Sequence, residues 1–127
     1  MRIFDVSTSP RTEKQETQNM KIREDTRRWV DDQFAHAVRL YRTLMQDTST
    51  TKALLNLPST AWLDIYAYYK QATCGNARES GVRKPSVVWY KARARWNAWS
   101  ALHGCTMHTA KRVYISLIHQ YISALLH

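Results

Sequence analysis

Apolar residues recur at helical spacing in four separate segments of this sequence, and no segment carries a convincing strand pattern. Val30, Phe34, Ala37, Val38, Tyr41 and Met45 predict a first helix, whose start can lie earlier in the polar stretch before it. Pro58 and Ser59 open a second helix, with Ser59 placed to cap it, and Gly75 and Asn76 stop it after Cys74. Beyond the loop "NARESGVRKPS", Pro85 and Ser86 lead into a third helix, "VVWYKARARWNAWSALH", which Gly104 ends. Thr106 caps a fourth, with Ala110, Val113, Tyr114, Leu117, Ile118, Tyr121, Ile122 and Leu125 as its broad apolar stripe. The connector "DTSTTKALLNLPS" has room for one extra turn. The expected architecture is all-α, with four helices around one core.

At 127 residues the chain is long enough for one domain and one modest core. No run approaches the eighteen or so apolar residues that a membrane span needs. The stretch "MRIFDVSTSPRTEKQETQNMKIRED" has no apolar core segment, and its acidic residues argue against an import presequence, so a cytoplasmic location is expected. Cys74 and Cys105 have neither metal-ligand spacing nor a disulfide framework and read as free thiols. The nearest histidine pair, His103 and His108, would splay on a helix, which leaves no metal site expected.

Charge is unevenly placed. The formal net charge is +9, yet residues 1–33 hold equal numbers of basic and acidic side chains. The excess lies wholly beyond them, where Asp47, Asp64 and Glu79 are the only acids. Globular surfaces usually intersperse the two signs, so this imbalance points to an anionic partner: a nucleic acid, a phosphorylated metabolite or an anionic lipid.

The second helix shows where such a partner could be met. Ala61, Ile65, Tyr68 and Ala72 form one apolar stripe, as a core requires. Trp62, Tyr66, Tyr69, Lys70 and Thr73 form an adjacent one that mixes rings with a cation and a hydroxyl. Tyrosines packed with their hydroxyls at the core rim would give the same pattern, so spacing alone leaves both readings open. On the third helix Lys91 and Arg95 form a basic i, i+4 pair beside Trp96 and Trp99, and Arg42 adds a cation from the first helix.

The segments "YAYYKQATCGN", "KARARWNAWSALHG" and "AKRVYI" occur in the order and nearly the spacing found in the acyl-CoA-binding protein family. There a Tyr-x-x-Tyr-Lys-Gln-Ala-Thr-x-Gly stretch precedes Lys-x-Lys-Ala-Lys-Trp-x-Ala-Trp and a later Ala-x-x-x-Tyr-Ile. The resemblance is strong from about Pro58 to Tyr121 and extends weakly back through Phe34. Several linked motifs in one order are far more specific than any one alone.

The polar stretch 1–28 has no counterpart in the family and is expected to be disordered or a helical extension. The resemblance implies an up-down-down-up four-helix bundle over residues 29–127. It implies a non-enzymatic protein without a cofactor that binds, buffers and transports medium- to long-chain acyl-CoA esters. Carried over by motif, Tyr66 and Tyr69 embrace the adenine and a nearby phosphate, Lys70 pairs with phosphate, Arg95 contacts the nucleotide end, and Tyr114 touches the ligand from the fourth helix. Arg42 fits a phosphate-reaching position, and Lys91 is either a further contact or a solvated lysine. Trp96 and Trp99 fit the core better than the ligand. The implied protein is a monomer that binds no nucleic acid and meets membrane surfaces or acyl-CoA enzymes transiently.

Departures from the pattern cluster in three places. The connector before Tyr66 and the loop before Pro85 are longer than usual, and the leucines Leu54, Leu55 and Leu57 could extend a groove for the acyl chain or pack on the first helix. Arginine replaces the usual lysine at Arg42 and Arg95, and Trp89 stands where an acidic or small residue is common. The competing function is a basic helical nucleic-acid-binding domain using the same Lys, Arg and Tyr set. Crowding of the aromatics on one helix face weighs against it.

Overall fold

The structure, a computed structural model, describes residues 12–57 and 59–126, apart from the side chains of residues 54, 55, 59, 125 and 126. Five α-helices follow in order: α1 (Glu13–Met45), α2 (Thr48–Leu55), α3 (Ser59–Cys74), α4 (Tyr90–Ser100) and α5 (Met107–Leu126), with a 3₁₀ turn at Ala77–Glu79. No strand occurs among the described residues.

α1 runs for 33 residues, beginning well before its first buried residue, Val30. Thr12 starts it with a reciprocal cap: its hydroxyl accepts from the Gln15 N–H at 3.1 Å, and the Gln15 side chain accepts from the Thr12 N–H at 3.2 Å. Glu13 and Glu16 lie in the first turn, where negative charge suits the helix dipole. The exposed half needs no core of its own, because the packed half beyond Val30 supplies the costly nucleus and each added residue gains a hydrogen bond.

Two element boundaries differ from the sequence expectation. The connector after α1 holds a full helix rather than one extra turn, because Asp47 caps it: its carboxylate accepts from the Thr50 hydroxyl at 2.7 Å and the Thr50 N–H at 3.2 Å. Those bonds hold the Asp47 carboxyl below its ordinary range, so the cap weakens as pH falls through that lowered value. The third expected helix starts at Tyr90, not near Ser86. The Trp89 N–H donates to the Ser86 carbonyl at 3.0 Å, closing a turn around Val87 and Val88, two β-branched residues with little helical preference.

The core lies where α3 packs against α5, with α1 packed chiefly on α5 and α4 on α3. One apolar cluster joins Phe34 and Ala37 of α1, Ile65 and Ala72 of α3, and Ala110, Tyr114 and Ile118 of α5. Val113 and Leu117, expected to share the α5 core stripe, instead line a shallow surface groove with Thr109, Arg112 and Ser116. A second cluster centres on Trp99, which packs with Ala67 and Ala77. The Trp99 indole N–H donates to the Gly75 carbonyl at 2.8 Å. Gly75 itself sits at φ 75°, the left-handed conformation that ends α3.

Gln71 is fully buried within this arrangement. Its amide donates to the Asn76 side-chain oxygen at 2.9 Å and to the Cys105 carbonyl at 2.7 Å. The same Asn76 oxygen accepts from the Gly104 N–H at 2.9 Å. The end of α3 is thereby tied to the α4–α5 connection.

Trp99→Ala is expected to cost about 3–5 kcal/mol of stability through the cavity and the lost bond, read from the midpoint of urea unfolding. Gln71→Ala should cost about 1–3 kcal/mol, since it strands the Cys105 carbonyl. Changes below about 1 kcal/mol in both would contradict this account of the core.

Candidate functional site

α1 and α4 do not touch, and a cleft of about 410 Å³ opens between them. Val38, Tyr41 and Arg42 of α1 form one wall, and Trp62, Ile65, Tyr66 and Tyr69 of α3 form the base. Arg95 of α4 and Tyr114 of α5 complete it. Four elements that are remote in sequence thus meet around one apolar cavity rimmed by two guanidinium groups.

An aromatic triad fixes its inner end. Phe34 stacks on Tyr69 with ring centroids 6.3 Å apart and meets Tyr114 edge-on at 5.1 Å, and Tyr69 and Tyr114 lie 6.1 Å apart. Rings packed in this way have little rotamer freedom left to lose on binding. Burial pushes the Tyr114 hydroxyl well above the ordinary tyrosine range, with Tyr41 and Tyr69 adding to the effect and Arg42 opposing it. Tyr41 is raised by burial as well. Both phenols are therefore neutral at physiological pH and act as hydrogen-bonding groups rather than anions.

The two arginines are steered by the tyrosines. Arg42 donates through Nη2 to the Tyr69 hydroxyl at 3.3 Å, and the Arg95 guanidinium lies 5.9 Å from the centre of the Tyr66 ring. No carboxylate lines the cleft among the described residues. Planar forks held against rings, without a competing acid, are suited to bidentate contact with a phosphate-bearing ligand.

Of the residues singled out in the sequence, Arg42, Tyr66, Tyr69, Arg95 and Tyr114 come together in this cleft. Lys70 does not line it: its ammonium lies over the Trp99 ring, 5.1 Å from the centroid. Lys91 is exposed one turn before Arg95. Trp96 and Trp99 both belong to the second core cluster, Trp99 buried and Trp96 partly so. Sequence reasoning assigned Val38, Tyr41 and Ile65 to the core stripe alone, yet each also faces the cleft. Position along a stripe does not reveal that two neighbouring helices stand apart. No residue of α2 lines the cleft among the described residues, nor does Leu57 beyond it, while the Leu54 and Leu55 side chains lie outside the described set.

The profile of the family described as acyl CoA binding protein matches residues 31–118. Among relatives, the acyl-CoA-binding protein of Saccharomyces cerevisiae is 40% identical over 61 residues, spanning 48% of this chain and 67% of that one. Acyl-CoA-binding protein homolog 1 of Caenorhabditis elegans is 32% identical over 76 residues, 59% of this chain and 85% of its own. The crystal structure of Oryza sativa acyl-CoA-binding protein 2 superposes with a TM-score of 0.60 at 24% identity, over 75% of this chain and 92% of that one. The helical bundle, the ordered motifs and the span matched by the family profile agree: the chain belongs to the acyl-CoA-binding protein family.

Proposed function

We propose that this protein binds medium- to long-chain acyl-CoA esters without chemistry and serves as an intracellular buffer and carrier for them. The observation that carries the reading is the cleft itself, where apolar and aromatic walls meet two guanidinium groups and, among the described residues, no carboxylate. An acyl-CoA presents a purine, three phosphates and an apolar tail, so its site must combine a flat ring, cations and a greasy surface. A volume of about 410 Å³ lies within the roughly 300–1,000 Å³ typical of small-molecule sites.

In this reading residues 29–127 are the binding domain and residues 1–28 an extension of it. Tyr66 and Tyr69 receive the adenine and a neighbouring phosphate, Arg42 and Arg95 hold phosphates from the two walls, and Tyr114 closes the base beneath the ligand. Lys70 joins them by swinging from the Trp99 face, a motion its flexible stem permits. Lys91 adds charge from the solvent side. Each buried methylene of the tail contributes roughly 0.8 kcal/mol, so the tail sets affinity and the nucleotide sets identity.

Palmitoyl-CoA is expected to raise the melting temperature by several degrees, whereas free palmitate and duplex DNA do much less at physiological salt. Equal stabilisation by DNA would reject the carrier reading in favour of the nucleic-acid one. Native mass spectrometry of protein purified from cells should also reveal bound acyl-CoA.

The cations should separate by position. Arg42→Ala, Arg95→Ala and Lys70→Ala are each expected to weaken palmitoyl-CoA binding by about 1.5–3 kcal/mol in calorimetric titrations. Lys91→Ala should cost under about 1 kcal/mol, as for other solvent-exposed charges. If Lys91→Ala weakened binding more than Arg95→Ala did, the assignment of phosphate contacts would be wrong.

A further inference from the structure

The stretch between the 3₁₀ turn and α4 lines neither the core nor the cleft, yet it carries the largest run of exposed apolar side chains among the described residues. Val87 is 70% exposed, Val88 76%, Trp89 69% and Tyr90 70%. Val87 and Val88 sit at the centre of the tight turn that Ser86 closes with the Trp89 N–H, and the Val88 N–H reaches the Ser86 hydroxyl at 3.4 Å. Turn centres favour glycine, proline, asparagine, aspartate and serine for backbone reasons. Two valines gain nothing there from local conformation and nothing from packing, so their apolar surface calls for another partner.

The turn is held from below. Arg93 donates to the Pro85 carbonyl at 3.1 Å and to the Asn97 side-chain oxygen at 3.3 Å, and its own N–H donates to the Trp89 carbonyl at 2.8 Å. Lys84 lies over the Trp96 ring, 5.4 Å from the centroid. The apolar tip therefore stands on an anchored base.

Its surroundings identify the occupant. From Ser80 to Ser100 the chain holds five Lys and Arg and neither Asp nor Glu, and Arg83, Lys84 and Lys91 flank the tip in sequence. A nucleic acid would use the cations but leave the valines in water. An apolar protein groove would use the valines and leave so one-sided a charge unexplained. A bilayer with anionic headgroups uses both: Trp and Tyr rings settle at headgroup level, aliphatic side chains enter the acyl boundary, and Lys and Arg draw the protein to the surface. We propose that the Ser86–Trp89 turn, with Val87, Val88, Trp89 and Tyr90 as its tip and Lys84 and Lys91 beside it, docks this protein onto an anionic phospholipid surface. Docking does not depend on what fills the cleft. If the cleft takes acyl-CoA, the same contact brings the Arg95 wall, one turn further along α4, to the surface where such amphiphiles partition.

The test is co-sedimentation with vesicles of about two parts phosphatidylcholine to one part phosphatidylserine, against phosphatidylcholine alone, with no acyl-CoA present. The protein should sediment with the anionic vesicles and not with the neutral ones. Binding should weaken steeply as salt rises from about 0.01 to 0.15 M, where the screening length falls from about 30 to about 8 Å. The double variant Val88→Asp/Trp89→Asp should lose about tenfold or more in partitioning while keeping its helical circular dichroism and its palmitoyl-CoA affinity. Both positions are exposed, and aspartate at position 89 is a favourable N-cap for α4. No sedimentation with anionic vesicles, equal sedimentation with both kinds, or an undiminished double variant would overturn the proposal. So would light scattering that found a dimer of the parent protein dispersed by the same variant, since the tip would then meet a second copy of the chain. Failure of palmitoyl-CoA binding alone would reject the ligand assignment and leave the docking result standing.

Discussion

The buried amide of Gln71 fixes the geometry on which the rest of the molecule depends. It joins the end of α3 to Asn76 and to the Cys105 carbonyl, while Asn76 also holds the Gly104 N–H. Together with the bond from Trp99 to Gly75, this sets where α4 leaves α3 and where α5 begins. α1 and α4 do not meet, so the walls of the cleft are spaced through α5 and α3, against which they respectively pack. The Gln71 amide nitrogen is paired on both of its donors while its Oε1 is buried without a partner among the described residues, so a chain that bends α4 elsewhere would strand the donors as well. The network favours one arrangement by penalising the others.

The cleft shows how a strongly basic chain can keep cations in a defined place without acids to hold them. Tyr69 orients Arg42 through its hydroxyl, and Tyr66 supports Arg95 through its ring. Phe34 and Tyr114 in turn restrain Tyr69. Rings satisfy a guanidinium only in part, which leaves its outward donors for a ligand, whereas a carboxylate would occupy them. The shortage of acids beyond residue 33 thus has a local meaning that the net charge of +9 does not convey.

Much of this was legible in the sequence, and the exceptions share a cause. Helical periodicity located the stripe from Val30 to Tyr41, Gly75 marked the end of α3, and Thr106 capped α5, where its hydroxyl accepts from the Thr109 N–H at 3.1 Å. The linked motifs hold four of the nine described residues that line the cleft, Tyr66, Tyr69, Arg95 and Tyr114, and Arg42 came from the weaker resemblance of the first helix. Helix α2 was legible only as an extra turn, because its signal is a single capping aspartate among threonines rather than an apolar period. Lys70 looked equivalent to its stripe neighbours, but a long side chain one position from Tyr69 can turn to either side of the helix, and here it lies over Trp99. Gln71 gave no local sign of burial, because its partners stand 5 and 34 residues away in sequence.

The third expected helix, α4, makes the limit of residue-type reasoning plain. In "KARARWNAW" three cations stand at alternate positions and look interchangeable, yet a helix turns each towards different surroundings. Lys91 faces solvent, Arg93 holds the Pro85 carbonyl and so anchors the turn before the helix, and Arg95 enters the cleft against Tyr66. Trp99 sits buried a turn later and locks the helix to α3. One short element therefore couples the core, the cleft and the exposed turn mechanically, since moving any of them requires rotating the helix that carries all three. Removing Arg93 would be expected to loosen the turn without touching the cleft directly, whereas removing Trp99 would disturb both.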